Sequence, residues 1–371
     1  AARLANLHIF ENDRVGVLAS SLLAVNLAER AGATNHLSLA LLGFAAGAVG
    51  WKSGADAYFA RIHADLPGDA DVRGLASGAV AEISAYIGRA ELDRAERAAA
   101  DNIALCERIG DRLNLSYTQY ALGIAAYYRG ALDEALMLLT TAQTSLDPSL
   151  TRHGAVGFAS QEILIATTLG RIDQARARLE ATRSAFSRHD RLSEGIWHGV
   201  RALVEARAGQ LEEAQAAVSQ ALRCVPAARF APPTGGGMIY GMIETALLAY
   251  SRNAALVPEA RKALRYGQSW ARAYPIGRPH LAFYRGQMAL IAGDNAGARR
   301  CFEEAVRLGA AIGAGLPVAQ AELALSAIGP TSAEVAEHKK RAGDALIIDG
   351  GLDYLAGTVL VGRRAIQSKA T

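Results

Sequence analysis

The chain has 371 residues, 51% of them hydrophobic, with 39 Lys and Arg against 36 Asp and Glu for a formal charge of +3. That is ample apolar material for a packed core, and the near balance of charge leaves no broad cationic footprint for nucleic acid or an anionic membrane. No run of ~18 apolar residues marks a membrane span, and Cys106, Cys224 and Cys301 lack the spacing of a disulfide framework or a zinc site, so a reducing cytoplasm is the expected setting.

The start, AARLANLHIFENDR, has no signal-peptide pattern and opens inside a helical periodicity without an initiator Met, so the chain is expected to be part of something longer. From there a string recurs in which a small residue precedes an alanine by five. Gly50 precedes Ala55, Ala90 precedes Ala95, Gly130 precedes Ala135, Gly170 precedes Ala175, Gly209 precedes Ala214, and Gly293 precedes Ala298. The intervals are 40, 40, 40 and 39 residues and then 84, the last spanning a degenerate unit near Ser251 to Ala260. Each marker falls between two helical stretches, where a glycine can close the first helix in the left-handed conformation. The next helix opens on acidic residues, as in ALDEAL, RIDQAR and QLEEAQ, which complement its positive end. Along that second helix Ala135, Leu139 and Ala142 recur as Ala214, Val218 and Ala221 and as Ala298, Phe302 and Ala305, a spacing that lies on one face. APPTGGG at 231–237 reads as a loop inserted between units, and Trp197 as a core residue. The apolar residues in DALIIDGG (344–351) read as part of a capping helix, and Lys339, Lys340, Arg341, Arg363 and Arg364 as a solvated face.

The Gly, Ala, large residue and Ala pattern resembles the tetratricopeptide repeat, with a period stretched to about 40 residues. The resemblance implies an all-α, right-handed α-solenoid of stacked helix-turn-helix units. Residues 1–35 would be a partial repeat, 36–329 the repeats, and 330–371 the capping helices. Such units bury their apolar faces only by stacking on neighbours. More narrowly, LLAVNLAERAG (22–32), SLALLGFAAGAVGWKSGADAYFARI (38–62) and ALCERIGDRLN (104–114) resemble the C-terminal region of bacterial proteins that fuse an AAA-type ATPase to an adenylate/guanylate cyclase or a protein kinase. No catalytic residue of that family carries over, because its ATPase and cyclase motifs are not in this sequence.

A search for chemistry agrees with a non-catalytic reading. Gly235-Gly236-Gly237 is followed by MIYGM and lacks the lysine of a P-loop, and neither HExxH nor GxSxG occurs. The eight histidines form no i, i+3 or i, i+4 pair, so neither a metal nor another cofactor is expected. In tetratricopeptide repeats the first helix of each unit lines the concave groove. Carried onto the unit closing at Gly130, the inward positions are Tyr117, Tyr120, Ile124 and Tyr127, and in the unit closing at Gly293 they are His280, Phe283, Gln287 and Leu290. The degenerate unit adds Tyr240 and Met242. Aromatic residues with a polar tip suit a contact surface, so Tyr117, Tyr120, Tyr127, Tyr240, His280, Phe283 and Gln287 are the candidate partner-binding residues. Two functions remain open: a sensor arm of a larger signalling ATPase or cyclase that takes a protein, peptide or small effector, and a free-standing adaptor that holds a peptide or helix in its groove. A hydrolytic site at the APPTGGG stretch is the remaining alternative.

Overall fold

In the computed structural model of the chain, the structure describes residues 14–32, 34–64, 71–144, 152–183, 191–224, 233–346 and 355. Among these residues there are seventeen α-helices and no strand. The N-terminal helices are α1 (Arg14–Arg30), α2 (His36–Ala48), α3 (Lys52–Ala64), α4 (Val72–Gly88), α5 (Leu92–Ile109) and α6 (Arg112–Arg129). The middle of the chain forms α7 (Leu132–Thr144), α8 (Arg152–Thr168), α9 (Ile172–Thr182), α10 (Arg191–Arg207), α11 (Leu211–Cys224) and α12 (Gly236–Arg252). Last come α13 (Val257–Ala273), α14 (Arg278–Ile291), α15 (Asn295–Ala311), α16 (Gly315–Ile328) and α17 (Ser332–Asp344). Among the described residues no helix is long and apolar enough to cross a membrane. From α2 onward each even-numbered helix packs on the odd-numbered one that follows it, and also on the next even-numbered helix.

The six sequence markers share one backbone device. Gly50, Gly130, Gly170, Gly209 and Gly293 all have positive φ, and so does Ala90, at 63°. At each of them the following amide donates back to the carbonyl four residues before the marker, over 2.8–3.0 Å, which satisfies an orphan carbonyl of the helix end. The alanine five residues on, at 55, 95, 135, 175, 214 and 298, is fully buried in every case. The degenerate unit ends differently. Asn253 is extended there, and its side chain accepts from the Ala255 amide. An alanine pays a steric cost in the left-handed region that glycine avoids, so Ala90→Gly is expected to stabilise the protein by about 1 kcal/mol. Urea denaturation of parent and variant checks this, and an unchanged or lower midpoint at equal slope would refute it.

Glycines also set the helix spacing. A Cβ on Gly241 of α12 would lie 2.1 Å from the Gly199 carbonyl oxygen of α10, so these two helices cross in backbone contact. Within the 231–237 stretch, residues 233–237 are not the loop that the composition suggests. Residues 231 and 232 lie outside the described ones, Pro233–Gly235 is a single 3-10 turn, and Gly236 and Gly237 open α12, a helix buried along most of its length. They are glycines because Tyr128 Oη, Leu164 and Val200 press on them, at 2.9–3.3 Å from the positions that Cβ atoms would occupy.

The array also meets itself across long stretches of sequence. Gly88 at the end of α4 packs against Pro233 and Tyr274, and α16 packs against α6, where Gly315 sits on the carbonyl of Arg129. Most buried apolar side chains join one continuous core. The exposed Lys339, Lys340 and Arg341 lie on α17 as a solvated face, while 347–351 and Arg363 and Arg364 lie outside the described residues. Trp197 is buried, as are Cys106 and Cys224, and all three cysteines are free thiols.

Candidate functional site

The residues expected to line an open groove are mostly interior. Tyr120, Tyr127, Tyr240, His280, Phe283 and Gln287 are each buried, and Tyr117 is half-buried. The six aromatic and imidazole rings among them fall into three places. Tyr120 stacks on Phe158 of α8 with ring centroids 4.2 Å apart, and Tyr117 meets the same ring edge-on at 5.3 Å. Phe283 packs on Phe302, between α14 and α15. Tyr127, Tyr240 and His280 come together, with His280 stacked 4.5 Å from Tyr240 and Tyr127 parallel to it at 6.4 Å. Tyr127 and His280, from the units closing at Gly130 and Gly293, therefore touch each other. Side chains of α6, α12 and α14, far apart in sequence, fill the interior there.

This interior cluster is polar at its centre. Tyr128 Oη lies 3.1 Å from Tyr240 Oη, and a cavity of about 10 Å³, on the order of one water molecule, is bounded by Tyr127, Thr168, Arg207, Tyr240, Glu244 and Gln320. Arg207 of α10 donates to the Glu244 carboxylate of α12. Burial pushes the Glu244 carboxyl up from its usual range, and the Arg207 guanidinium pulls it partly back. Burial alone lowers the His280 imidazole to about 3, and neither of its ring nitrogens has a hydrogen-bond partner. The Tyr127, Tyr128, Tyr240 and Tyr284 phenols are all raised, mainly by desolvation, so every one stays protonated at neutral pH. Protonated phenols and a neutral imidazole, closed off from solvent, can pack and orient but offer no nucleophile to a substrate.

A second site is open to solvent and has no counterpart among the residues that the sequence singles out. Leu75, Ala79, Glu82 and Tyr86 lie on one face of α4 by their helical spacing, and with α5 and the end of α3 they bound a pocket of about 290 Å³. Glu82 is buried at its base, accepting from Tyr86 Oη at 2.6 Å and lying 2.9 Å from His63 Nε2. That bond to Glu82 is the main cause of a raised His63 pKa. Arg94 donates to Tyr86 Oη at 2.9 Å and lies 4.2 Å over its ring, which fixes the phenol from both sides. Asn102, only 2% exposed, also lines the pocket. One sequence signal could have found it. Asn102 stands twelve residues after its marker, where three other units carry Ala142, Ala221 and Ala305 and the remaining two carry Ile62 and Thr182.

Among the described residues no group of three His, Cys, Asp or Glu side chains is placed to hold a metal ion. No protein-family model and no curated protein matches the chain.

Proposed function

We propose that this chain is a tetratricopeptide-type, right-handed helical-repeat arm with a unit of about 40 residues. It binds and regulates rather than catalyses, as part of a cytoplasmic bacterial signalling ATPase, cyclase or kinase. The observation that carries the reading is the recurrent closure, in which six markers share one left-handed helix ending and each is followed, five residues on, by a fully buried alanine. That is the local grammar of stacked helix pairs, whose business in proteins is to present surface. The free-standing adaptor with a peptide in its concave groove is the second reading. It is the weaker one, since Tyr127 and His280 already meet across the inner side and a peptide would have to separate them.

The test has two arms. The purified chain is expected to hydrolyse neither ATP nor GTP and to form no cyclic nucleotide above a buffer blank, while deleting it from a protein that carries an ATPase or cyclase module in the same reading frame changes the output rate at least severalfold. Turnover that co-purifies with the chain, or an output rate indifferent to the deletion, refutes the proposal.

A further inference from the structure

The pocket between α4 and α5 combines charges that are already spent with charges that are not. Glu82 is engaged by His63 and Tyr86, and Arg94 by Tyr86, Glu91 and Asp56. Arg97 and Asp101 also line the pocket. Both are exposed, one helical turn apart on the same face of α5, and neither has an ion pair or hydrogen bond among the described residues, although the Asp101 charge helps to raise the His63 pKa across the pocket. A cation and an anion that stand side by side without pairing present a two-charge pattern to a ligand.

Asn102 is a fixed, buried part of the wall. Its Nδ2 donates to the Ala76 carbonyl at 3.2 Å and to Thr118 Oγ1 at 2.8 Å, and Thr118 itself donates to the Asn114 carbonyl. Those bonds use both amide protons and fix the orientation of the side chain. Its Oδ1 is left as a buried acceptor with no donor, an arrangement that costs about 1–3 kcal/mol when nothing satisfies it. The rest of the lining is apolar, from Leu75, Ala79, Ala98 and Leu105, and the volume of about 290 Å³ lies at the low end for small-ligand sites.

We propose that this pocket binds a free α-amino acid with an aliphatic side chain, its carboxylate held by Arg97, its ammonium by Asp101, and its side chain by the leucine-lined wall. An anion alone would leave Asp101 facing it. A cation alone would meet Arg97. A nucleotide or peptide exceeds the space. The assignment concerns the chain by itself and stands whether or not the chain belongs to a signalling ATPase.

The test is isothermal titration of the whole chain with L-leucine, L-isoleucine and L-valine, beside N-acetyl-L-leucine, which lacks the ammonium, and L-leucinamide, which lacks the carboxylate. Saturable binding of at least one free amino acid is expected, weakened at least tenfold in the two blocked forms of leucine when leucine is the ligand, or in the corresponding blocked forms of the other two. Arg97→Gln and Asp101→Asn, both at exposed positions, are each expected to weaken it at least tenfold with an unchanged melting temperature. No binding of any of the three amino acids, equal binding of a blocked form, or full affinity in both variants overturns the proposal. None of these measurements involves an output module, so failure here is separate from failure of the arm reading.

Discussion

Arg207→Ala is expected to destabilise the protein by about 3 kcal/mol near neutral pH, the low end of the range for removing one partner of a buried ion pair. Glu244 lies on α12, where Gly241 brings the backbone against Gly199 of α10, so the carboxylate is enclosed beside Arg207. Without the guanidinium the carboxylate stays desolvated and unpaired. Its pKa, already raised by burial, then rises further because the one lowering influence is gone. The sign of the pH dependence follows. A carboxyl with a raised folded-state pKa weakens the fold above that pKa and ceases to do so once it is protonated, so the deficit of the variant should shrink as pH falls from 7 to 5.

The double variant Arg207→Leu with Glu244→Leu separates a charge effect from a packing effect. Replacing both members of a buried pair with apolar groups is often neutral or stabilising, so the double variant should recover most of what the single one loses. Urea midpoints at three pH values measure both. A double variant as unstable as Arg207→Ala would mean that the arginine stem, rather than its charge, supports the α10–α12 crossing.

The local structure is legible in the sequence and the long-range structure is not, for a physical reason. Helix closure is decided within six residues, so Gly130 or Gly209 announces itself, and even Ala90 does so by position. Burial of the alanine five residues later follows from the same short-range pattern. By contrast, the pattern places Tyr127 and Tyr240 on helices but does not give their neighbours. The Tyr128–Tyr240 contact spans 112 residues, and no periodicity encodes such a contact. The glycines at 236 and 237 mislead for the same cause, since what requires them is Tyr128, Leu164 and Val200 from distant helices. The pocket needs three helices at once, and its single sequence trace is a polar residue, Asn102, at a position where three of the other units carry alanine.

His280→Phe is expected to reduce acid sensitivity and to raise stability slightly at pH 7. In the parent the imidazole is buried and neutral, with a pKa lowered from the ordinary 6.5 of a histidine to about 3. Between those values the unfolded chain binds a proton here that the folded chain does not. Stability is therefore lost as pH falls from 6.5 toward 3, at up to about 1.4 kcal/mol per pH unit from this one group, and nothing is lost above 6.5. His63 acts in the opposite sense. Its raised pKa makes its contribution complete below the unfolded value and lost as pH rises through the folded one, so it cannot be the source of acid sensitivity. Phenylalanine keeps the stack on Tyr240 and removes two buried nitrogens that have no partner, which is why a gain of about 1 kcal/mol at pH 7 accompanies the flatter profile. Chemical denaturation of parent and variant at pH 4.5, 5.5 and 7 reads both effects. A variant whose stability falls with acid as steeply as the parent's would show that His280 is hydrated, or hydrogen-bonded through a bridging water, in the folded protein, and that acid acts elsewhere.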